Sequence, residues 1–160
     1  YRMVNGNQWL KAQLPLDGTD NPVRSRLNEA ICGGRFPNRG RFLPHVPQRL
    51  RRVIRKALNV DPGRRYQTAI EMADDLGQVS QCLDWQYCNS KNSENWVCQS
   101  VTHELRIELI KDGREWYTIG SKTRLSDGLT RRQNRWCLGP TRSRVQILNE
   151  LRAIFQSMEE

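Results

Sequence analysis

The chain has 160 residues with a net charge of +9, and 37% of its residues are hydrophobic and 27% are charged. This composition is typical of a globular protein rather than a disordered one, and no apolar run approaches the ~20 residues that a membrane-spanning helix needs. The five cysteines are odd in number and include no CxxC pair, which disfavours a disulfide framework and predicts reduced thiols in the cytoplasm.

The positive charge and the residue types are distributed unevenly along the chain. Residues 1–80 contain 14 Lys and Arg against 7 Asp and Glu, whereas residues 81–160 contain 12 against 10. Near residue 80 the sequence changes from helical periodicity and loops to short aromatic and alternating segments. We therefore predict two domains, a helical segment at 1–80 and a small domain of β-sheet plus helix at 81–160.

Three helices are predicted in the first domain. The first spans Asn21–Cys32, where Asn21 can cap the start and the following glycines end the helix. The second spans residues 47–58, with apolar residues on one face and arginines on the other, which we interpret as a solvated outer face. The third begins at Thr68, which suits a capping box with Glu71. The apolar residues of this third helix, which we expect to be buried, are Ala69, Met72, Ala73 and Leu76.

The second domain is predicted to be a small antiparallel β-meander covered by a C-terminal helix. The segments with strand character are Asp84–Cys88, Asn95–Gln99, Glu104–Ile110 and Arg135–Leu138, and Gly120–Arg135 is predicted to be a polar loop. The dipeptide at 112–113 is a hairpin signal that would place Leu109 opposite Trp116. The last helix begins at Thr141 or Ser143 and buries one apolar face. The predicted fold class is therefore α+β.

An ordered set of residues with fixed spacing runs from Val46 to Leu76. Its members are Pro47, Leu50, Ile54, Ala57, Leu58, Asp61, Pro62, Arg65, Tyr66, Gln67, Ala69, Glu71, Met72 and Leu76. This set resembles the end of the C-lobe of bacterial eukaryotic-like serine/threonine protein kinases. Upstream, Tyr1–Gly6 and Arg26–Cys32 are similar to earlier helices of that lobe, so the resemblance covers residues 1–80. The second domain resembles no family that we can name.

The resemblance implies structural roles for Asp61, Pro62, Arg65 and Tyr66. In the family, the arginine that matches Arg65 pairs with a glutamate just after the activation segment, and this buried pair holds the lobe together. That glutamate would lie upstream of Tyr1. The resemblance further implies that a full-length parent transfers the γ-phosphate of ATP to Ser or Thr of proteins, with ATP and Mg²⁺ as its cofactors.

The chain itself carries none of the motifs of phosphoryl transfer. It has no GxGxxG loop, no His-Arg-Asp, no Asp-Phe-Gly, no Ala-Pro-Glu and no Walker-type motif. We therefore expect no catalytic residue and no cofactor in this chain. Because the sequence begins with Tyr1 and not with Met, we expect either a piece of a longer chain or a start at Met3.

Metal binding and nucleophilic catalysis are weakly supported by the sequence. The second domain contains Cys82, Cys88, Cys98, His103 and Cys137, whose spacings are wider than those of the close ligand pairs of zinc sites. We interpret the cysteines as small buried hydrophobic residues. No pattern places a nucleophile, a base and an orienting group together, so a hydrolase is not predicted.

Nucleic-acid binding is the alternative function. A basic surface of the second domain would consist of Arg124, Arg131, Arg132, Arg135, Arg142 and Arg144 with Trp136. Arginines contact phosphates and exposed tryptophans stack on bases, whereas tryptophans of strands usually pack inward. The predicted partners are the rest of a kinase domain or another protein, with nucleic acid as the alternative and no membrane.

Overall fold

The chain divides into two compact units, unit 1 (Tyr1–Ser80) and unit 2 (Gln81–Glu160). The computed structural model describes residues 5–6, 10–13, 21–79 and 84–158. The helices and the antiparallel sheet within these ranges make the fold α+β, which confirms the predicted class. The kinase-like positions 1–4 and the cysteine Cys82 lie outside the described residues.

The helices of unit 1 follow the capping signals of the sequence. They are α1 (Asn21–Cys32), α2 (Gln48–Ala57) and α3 (Ala69–Gly77), and a 3-10 turn spans Pro62–Arg64. After α1, Gly34 adopts a positive φ of 68°, which glycine accepts without strain. At the start of α3, Thr68 Oγ1 accepts the backbone N–H of Glu71 at 3.2 Å, as the capping box predicts. The carboxylate of Glu71 accepts the N–H of Gln67 at 3.1 Å.

The core of unit 1 is small and is built around α2. Its buried hydrophobic residues are Phe42, Leu43, Val46, Val53, Ile54 and Val79. Asn5 is also buried, and its Oδ1 accepts the backbone N–H of Leu43 at 3.0 Å. Arg51, which is predicted to lie on the solvated face of the helix, is also buried, and its Nε donates to the carbonyl oxygen of Val46 at 2.7 Å. The apolar face of α2 is therefore buried, as its periodicity predicts.

The predicted burial of the apolar stripe of α3 is wrong. Met72 is half-buried, Ala69 and Ala73 are exposed, and Leu76 is 38% exposed. The neighbouring Ile70 is 73% exposed. The described part of unit 1 supplies no layer of apolar side chains over this helix, although packing of an apolar face normally provides most of a helix's stability. We call these five residues the apolar face of α3.

The part of unit 2 described between residues 84 and 158 contains a five-stranded antiparallel meander in which each strand pairs with the next. Its strands are β1 (Trp85–Asn89), β2 (Ser93–Gln99), β3 (His103–Asp112), β4 (Glu115–Arg124) and β5 (Thr130–Arg132). Because side chains alternate along a strand, Trp96 and its cross-strand neighbour Ile107 share one face, and both are fully buried.

The predicted β3–β4 hairpin is present, but its register differs from the prediction by two residues. Leu109 pairs with Thr118 rather than with Trp116. The two-residue loop consists of Gly113 and Arg114, with Gly113 at a φ of 57°, so the turn begins one residue later than predicted. A shift by two residues preserves the side chains that face the core, because the period of a strand is two.

The polar stretch after β4 contains more regular structure than predicted. The first five residues of the predicted loop Gly120–Arg135 belong to β4, and a later part is the edge strand β5. The predicted strand Arg135–Leu138 is replaced by a 3-10 turn at Asn134–Trp136 followed by an extended segment. The buried Thr118 of β4 donates to the carbonyl oxygen of Trp136 at 2.8 Å and accepts the backbone N–H of Leu138 at 2.7 Å. The backbone N–H of Thr118 also donates to the carbonyl oxygen of Leu138 at 3.1 Å, so side-chain and backbone bonds hold this segment to β4 without a regular ladder.

The C-terminal helix α4 (Arg144–Ser157) completes the core of unit 2. Ser143 Oγ accepts the backbone N–H of Gln146 at 3.2 Å, so the helix is capped at one of the two predicted positions. The buried core consists of Trp85, Trp96, Ile107, Leu109, Trp136, Ile147, Leu151 and Phe155. The ring of Phe155 meets that of Trp85 edge to face, with centroids 5.0 Å apart.

We expect Phe155→Ala to lower the free energy of unfolding of unit 2 by about 3–5 kcal/mol, because it removes a fully buried ring and leaves a cavity. The matched control is Val145→Ala on the same helix, where the side chain is 70% exposed and the expected change is within about 0.5 kcal/mol. Chemical denaturation followed by tryptophan fluorescence measures both variants. Equal stability of the two variants would contradict the packing of α4 on the sheet.

Candidate functional site

The kinase-like residues Asp61, Pro62, Arg65 and Tyr66 lie in the connection between α2 and α3. Asp61 Oδ1 accepts the backbone N–H of Gly63 at 2.9 Å, which caps the 3-10 turn. Arg65 is exposed, and its Nε and Nη2 donate to the carbonyl oxygens of Asn59 and Val60 at 2.6 and 3.2 Å. These bonds fix the guanidinium to the chain that leaves α2. An arginine held in this way is preorganised for a carboxylate or phosphate partner.

Tyr66 links α2 to α3. Its hydroxyl donates to Asp75 Oδ2 at 2.6 Å, and the ammonium group of Lys56 lies 4.0 Å from the centroid of its ring. Burial and the hydrogen bond to Asp75 raise the pKa of Tyr66 to about 12, so the hydroxyl remains a donor at neutral pH. The structure thus brings Asp61–Tyr66 and Asp75 together between the two helices, and we call this group the α2–α3 joint.

A cleft of about 360 Å³ lies beside the joint. It is lined by Arg49, Arg52, Val53, Lys56, Tyr66, Asp75 and Gln78. Arg49 Nη1 donates at 3.2 Å to both the backbone carbonyl and the side-chain oxygen of Gln78, just after α3. Three cationic side chains face a single carboxylate in this lining, so the cleft favours anions.

His45 is buried in unit 1 and is not suited to acid–base catalysis. Burial, and then the positive charge of Arg51, lower the pKa of His45 to about 4. A catalytic acid or base works best with a pKa near the operating pH. At neutral pH His45 is therefore an uncharged group of the core.

Trp136 does not belong to an exposed basic surface. It is 3% exposed and lies in the core of unit 2. The backbone of Gly120 packs so closely against it that a side chain on Gly120 would collide with the Cβ atom of Trp136. Because neither face of a buried ring is open to a base, Trp136 cannot supply the stacking that the nucleic-acid interpretation assigns to it.

The six arginines of the predicted basic surface fall into two groups. Arg124 and Arg144 have carboxylate partners, Asp127 at 2.9 Å and Glu94 at 2.6 Å. The exposed remainder consists of Arg131, Arg132, Arg135 and Arg142. Two of these lie on the edge strand β5 and one in the 3-10 turn that follows it. The structure therefore assembles a smaller basic edge than the sequence predicts.

A buried polar network in unit 2 was not predicted. Glu94 is only 5% exposed; its Oε1 accepts from Arg144 Nη2 at 2.6 Å, and its Oε2 accepts from the hydroxyl of Tyr87 at 2.9 Å. Burial, and then the charge of Glu94, raise the pKa of Tyr87. The sequence contains a signal for this network, because Glu94 precedes Trp96 by two residues and so shares the core face of β2. A charged residue on that face requires a partner.

No group of three or more His, Cys, Asp and Glu residues in the described ranges is arranged to hold a metal ion. Cys88 is exposed, so the interpretation of the cysteines as buried residues fails there, whereas Cys98 and Cys137 are half-buried. Burial raises the pKa of Cys98, which disfavours its reactive thiolate form. None of the described helices has the length and apolarity that crossing a membrane requires.

Comparisons with known proteins return no match. No protein-family model matches the chain, and no curated protein or solved structure matches it significantly. The kinase resemblance therefore depends on the residues of 1–80 alone.

The buried His45 predicts a pH-dependent stability of unit 1. In the unfolded chain His45 takes up a proton near pH 6.5, whereas in the folded chain it does so near pH 4. Between these values the unfolded state binds more protons, so the free energy of unfolding falls as the pH is lowered from 6.5 to about 4, by up to about 3 kcal/mol. Well above pH 6.5 His45 is neutral in both states and contributes no pH dependence.

Urea denaturation at pH 7 and pH 4.5, followed by the NMR amide signals of α2, measures this effect. The control is His45→Gln, which lacks a titrating group and should lose this part of the pH dependence, whatever its stability at pH 7. An identical pH dependence in both proteins would show that His45 is not the cause.

Proposed function

We propose that unit 1 is the C-terminal part of the helical lobe of a serine/threonine protein kinase, and that unit 2 is an accessory regulatory or partner-binding domain of the same parent. The parent transfers the γ-phosphate of ATP to Ser or Thr of proteins, and its upstream residues bind ATP and Mg²⁺. The chain itself supplies no catalytic group. The observation that carries the proposal is the α2–α3 joint, in which Asp61, Arg65 and Tyr66 of the kinase-like set make the hydrogen bonds that fix the connection between α2 and α3.

The position of Arg65 supports this proposal. Its guanidinium is exposed yet held by two backbone carbonyls, so little side-chain entropy is lost when a further partner binds. The kinase resemblance supplies such a partner, a glutamate of the upstream lobe. Arginine is well suited to this role, because its planar fork matches the two oxygens of a carboxylate.

The apolar face of α3 supports the same proposal from packing. A helix with apolar residues at three- and four-residue spacing forms stably when that face is covered, and the described residues of unit 1 do not cover it. We assign its cover to the upstream helices of the kinase lobe. The helices that cover α3 and the glutamate that pairs with Arg65 would thus both belong to the upstream part of the kinase lobe.

Unit 2 has the properties of a separate accessory module. Its sheet and α4 enclose a core with three tryptophans, so its apolar residues are largely covered within the unit. The Glu94–Arg144 salt bridge joins β2 to the start of α4 and has one nearly buried partner. A module with its own core can regulate or recruit without contributing to the catalytic lobe.

The substitution Arg65→Ala tests the proposal in two settings. In the 160-residue chain Arg65 is exposed, so we expect a loss of less than about 1 kcal/mol in the free energy of unfolding. In a chain extended upstream to a complete kinase core, we expect a loss of about 3–5 kcal/mol, because a buried glutamate then loses its partner. Denaturation midpoints of both chains measure the difference.

The matched control is Arg64→Ala, which removes an exposed neighbour whose only ion pair is with Asp61 at 3.4 Å. We expect it to cost less than about 1 kcal/mol in both chains. The extended chain should also transfer phosphate from ATP to Ser or Thr of a protein substrate. Equal effects of Arg65→Ala in the two chains, together with no phosphate transfer, would contradict the proposal.

Nucleic-acid binding by unit 2 is a second candidate function, favoured by the exposed arginines of the basic edge. It predicts that affinity for DNA or RNA falls steeply with salt, by about 0.9 in log K per decade of salt for each phosphate contact. Arg131→Gln together with Arg132→Gln should flatten this slope, whereas Arg114→Gln in the β3–β4 turn should not. Weak binding with no salt dependence would exclude this candidate.

A further inference from the structure

The cleft between α2 and α3 places cations where the sequence predicts only a solvated outer face. Arg49, Arg52 and Lys56 follow each other at three- and four-residue spacing, so they share one face of α2. The helix contains no acidic residue, and like charges at this spacing repel one another. Their repulsion would be relieved by an anion bound in the cleft.

The opposite wall of the cleft comes from the chain around α3. Tyr66 and Asp75 face the cations, and the hydrogen bond between them engages one oxygen of Asp75, the only carboxylate among the described residues of the lining. Gln78 accepts twice from Arg49 Nη1, which fixes that guanidinium at one end of the cleft. Because both bonds use Nη1, the Nε and Nη2 groups of Arg49 remain to donate to a ligand.

The volume and the apolar part of the lining indicate a ligand larger than a bare ion. The cleft measures about 360 Å³ and includes the side chain of Val53 and the ring of Tyr66. Sites for small organic ligands are typically ~300 to 1,000 Å³ and combine apolar walls with a few charged groups. Three cations against one carboxylate leave an excess of two positive charges, which matches a dianion.

We propose that this cleft binds a phosphate monoester. Arg49 and Arg52 donate to the phosphate oxygens, Lys56 contributes a point charge, and Val53 and the Tyr66 ring contact the organic part of the ligand. The phosphate group is the shared feature of several sources, including free phosphate and phosphorylated amino acids. This site does not depend on the proposed kinase origin of unit 1, because it uses only residues of the described helices and their connection.

Isothermal titration calorimetry on the full 160-residue chain tests the site with three probes, which are O-phosphoserine, serine and inorganic phosphate. We expect saturable binding of O-phosphoserine and none of serine. Arg52→Gln should weaken the binding about tenfold or more, since it removes a charge-assisted hydrogen bond. Arg26→Gln, which removes an exposed arginine of α1 outside the cleft, should change the affinity less than about twofold.

Two further measurements identify the source of the phosphate group and test the role of Tyr66 on the opposite wall of the cleft. We expect inorganic phosphate to bind more weakly than O-phosphoserine. Equal affinity would show that the cleft binds the phosphate group alone, and it would contradict the proposed contacts of Val53 and Tyr66 with the organic part of the ligand. Tyr66→Phe should weaken binding, because Asp75 then loses its donor and repels the phosphate. Absence of saturable binding, or equal losses in Arg52→Gln and Arg26→Gln with unchanged amide NMR spectra, would overturn the proposal.

Discussion

A helix is stable in water only when its apolar face is covered, and the two units differ in how far they meet this requirement. In unit 2 the sheet covers α4, whose Ile147, Leu151 and Phe155 are fully buried. In unit 1 α2 is covered by its own small core, whereas α3 keeps an apolar face exposed. Unit 2 therefore has the character of a finished module. The exposed apolar face of α3 and the fixed but exposed Arg65 are the two features from which we propose that unit 1 is the end of a larger helical body.

Local signals predicted the elements of the fold well. The helix at Asn21–Cys32, the caps at Thr68 and Ser143 and the alternation of β3 depend on neighbours within a few residues, so the sequence reveals them. The three-residue strand β5 depends on pairing with β4 across a turn, and its own sequence is too short to show a strand pattern. The predicted register of the β3–β4 hairpin was wrong by two residues, because Gly113 occupies the first loop position and not the second. The alternation of side chains is compatible with either register.

The functional residues were predictable only where they share a local pattern. The spacing of the kinase-like set singles out Asp61, Pro62, Arg65 and Tyr66 from sequence alone, and these residues belong to the α2–α3 joint. The cleft beside it was missed, because Arg49 and Lys56 meet Tyr66 and Gln78 only after the chain turns back at residues 61–68. Trp136 and Arg144 show the opposite error, because they were predicted to belong to a binding surface and do not. Long-range packing removes both from the basic surface that composition alone predicts.

The coding DNA upstream of Tyr1, read in the same frame, tests the proposal that unit 1 is the end of a kinase lobe. We predict a glycine-rich loop, a lysine on the following strand, His-Arg-Asp, Asp-Phe-Gly and, just after the activation segment, the glutamate partner of Arg65. A stop codon or an unrelated sequence at those positions would contradict the claim. The exposed Arg65 and the apolar face of α3 would then require a different partner.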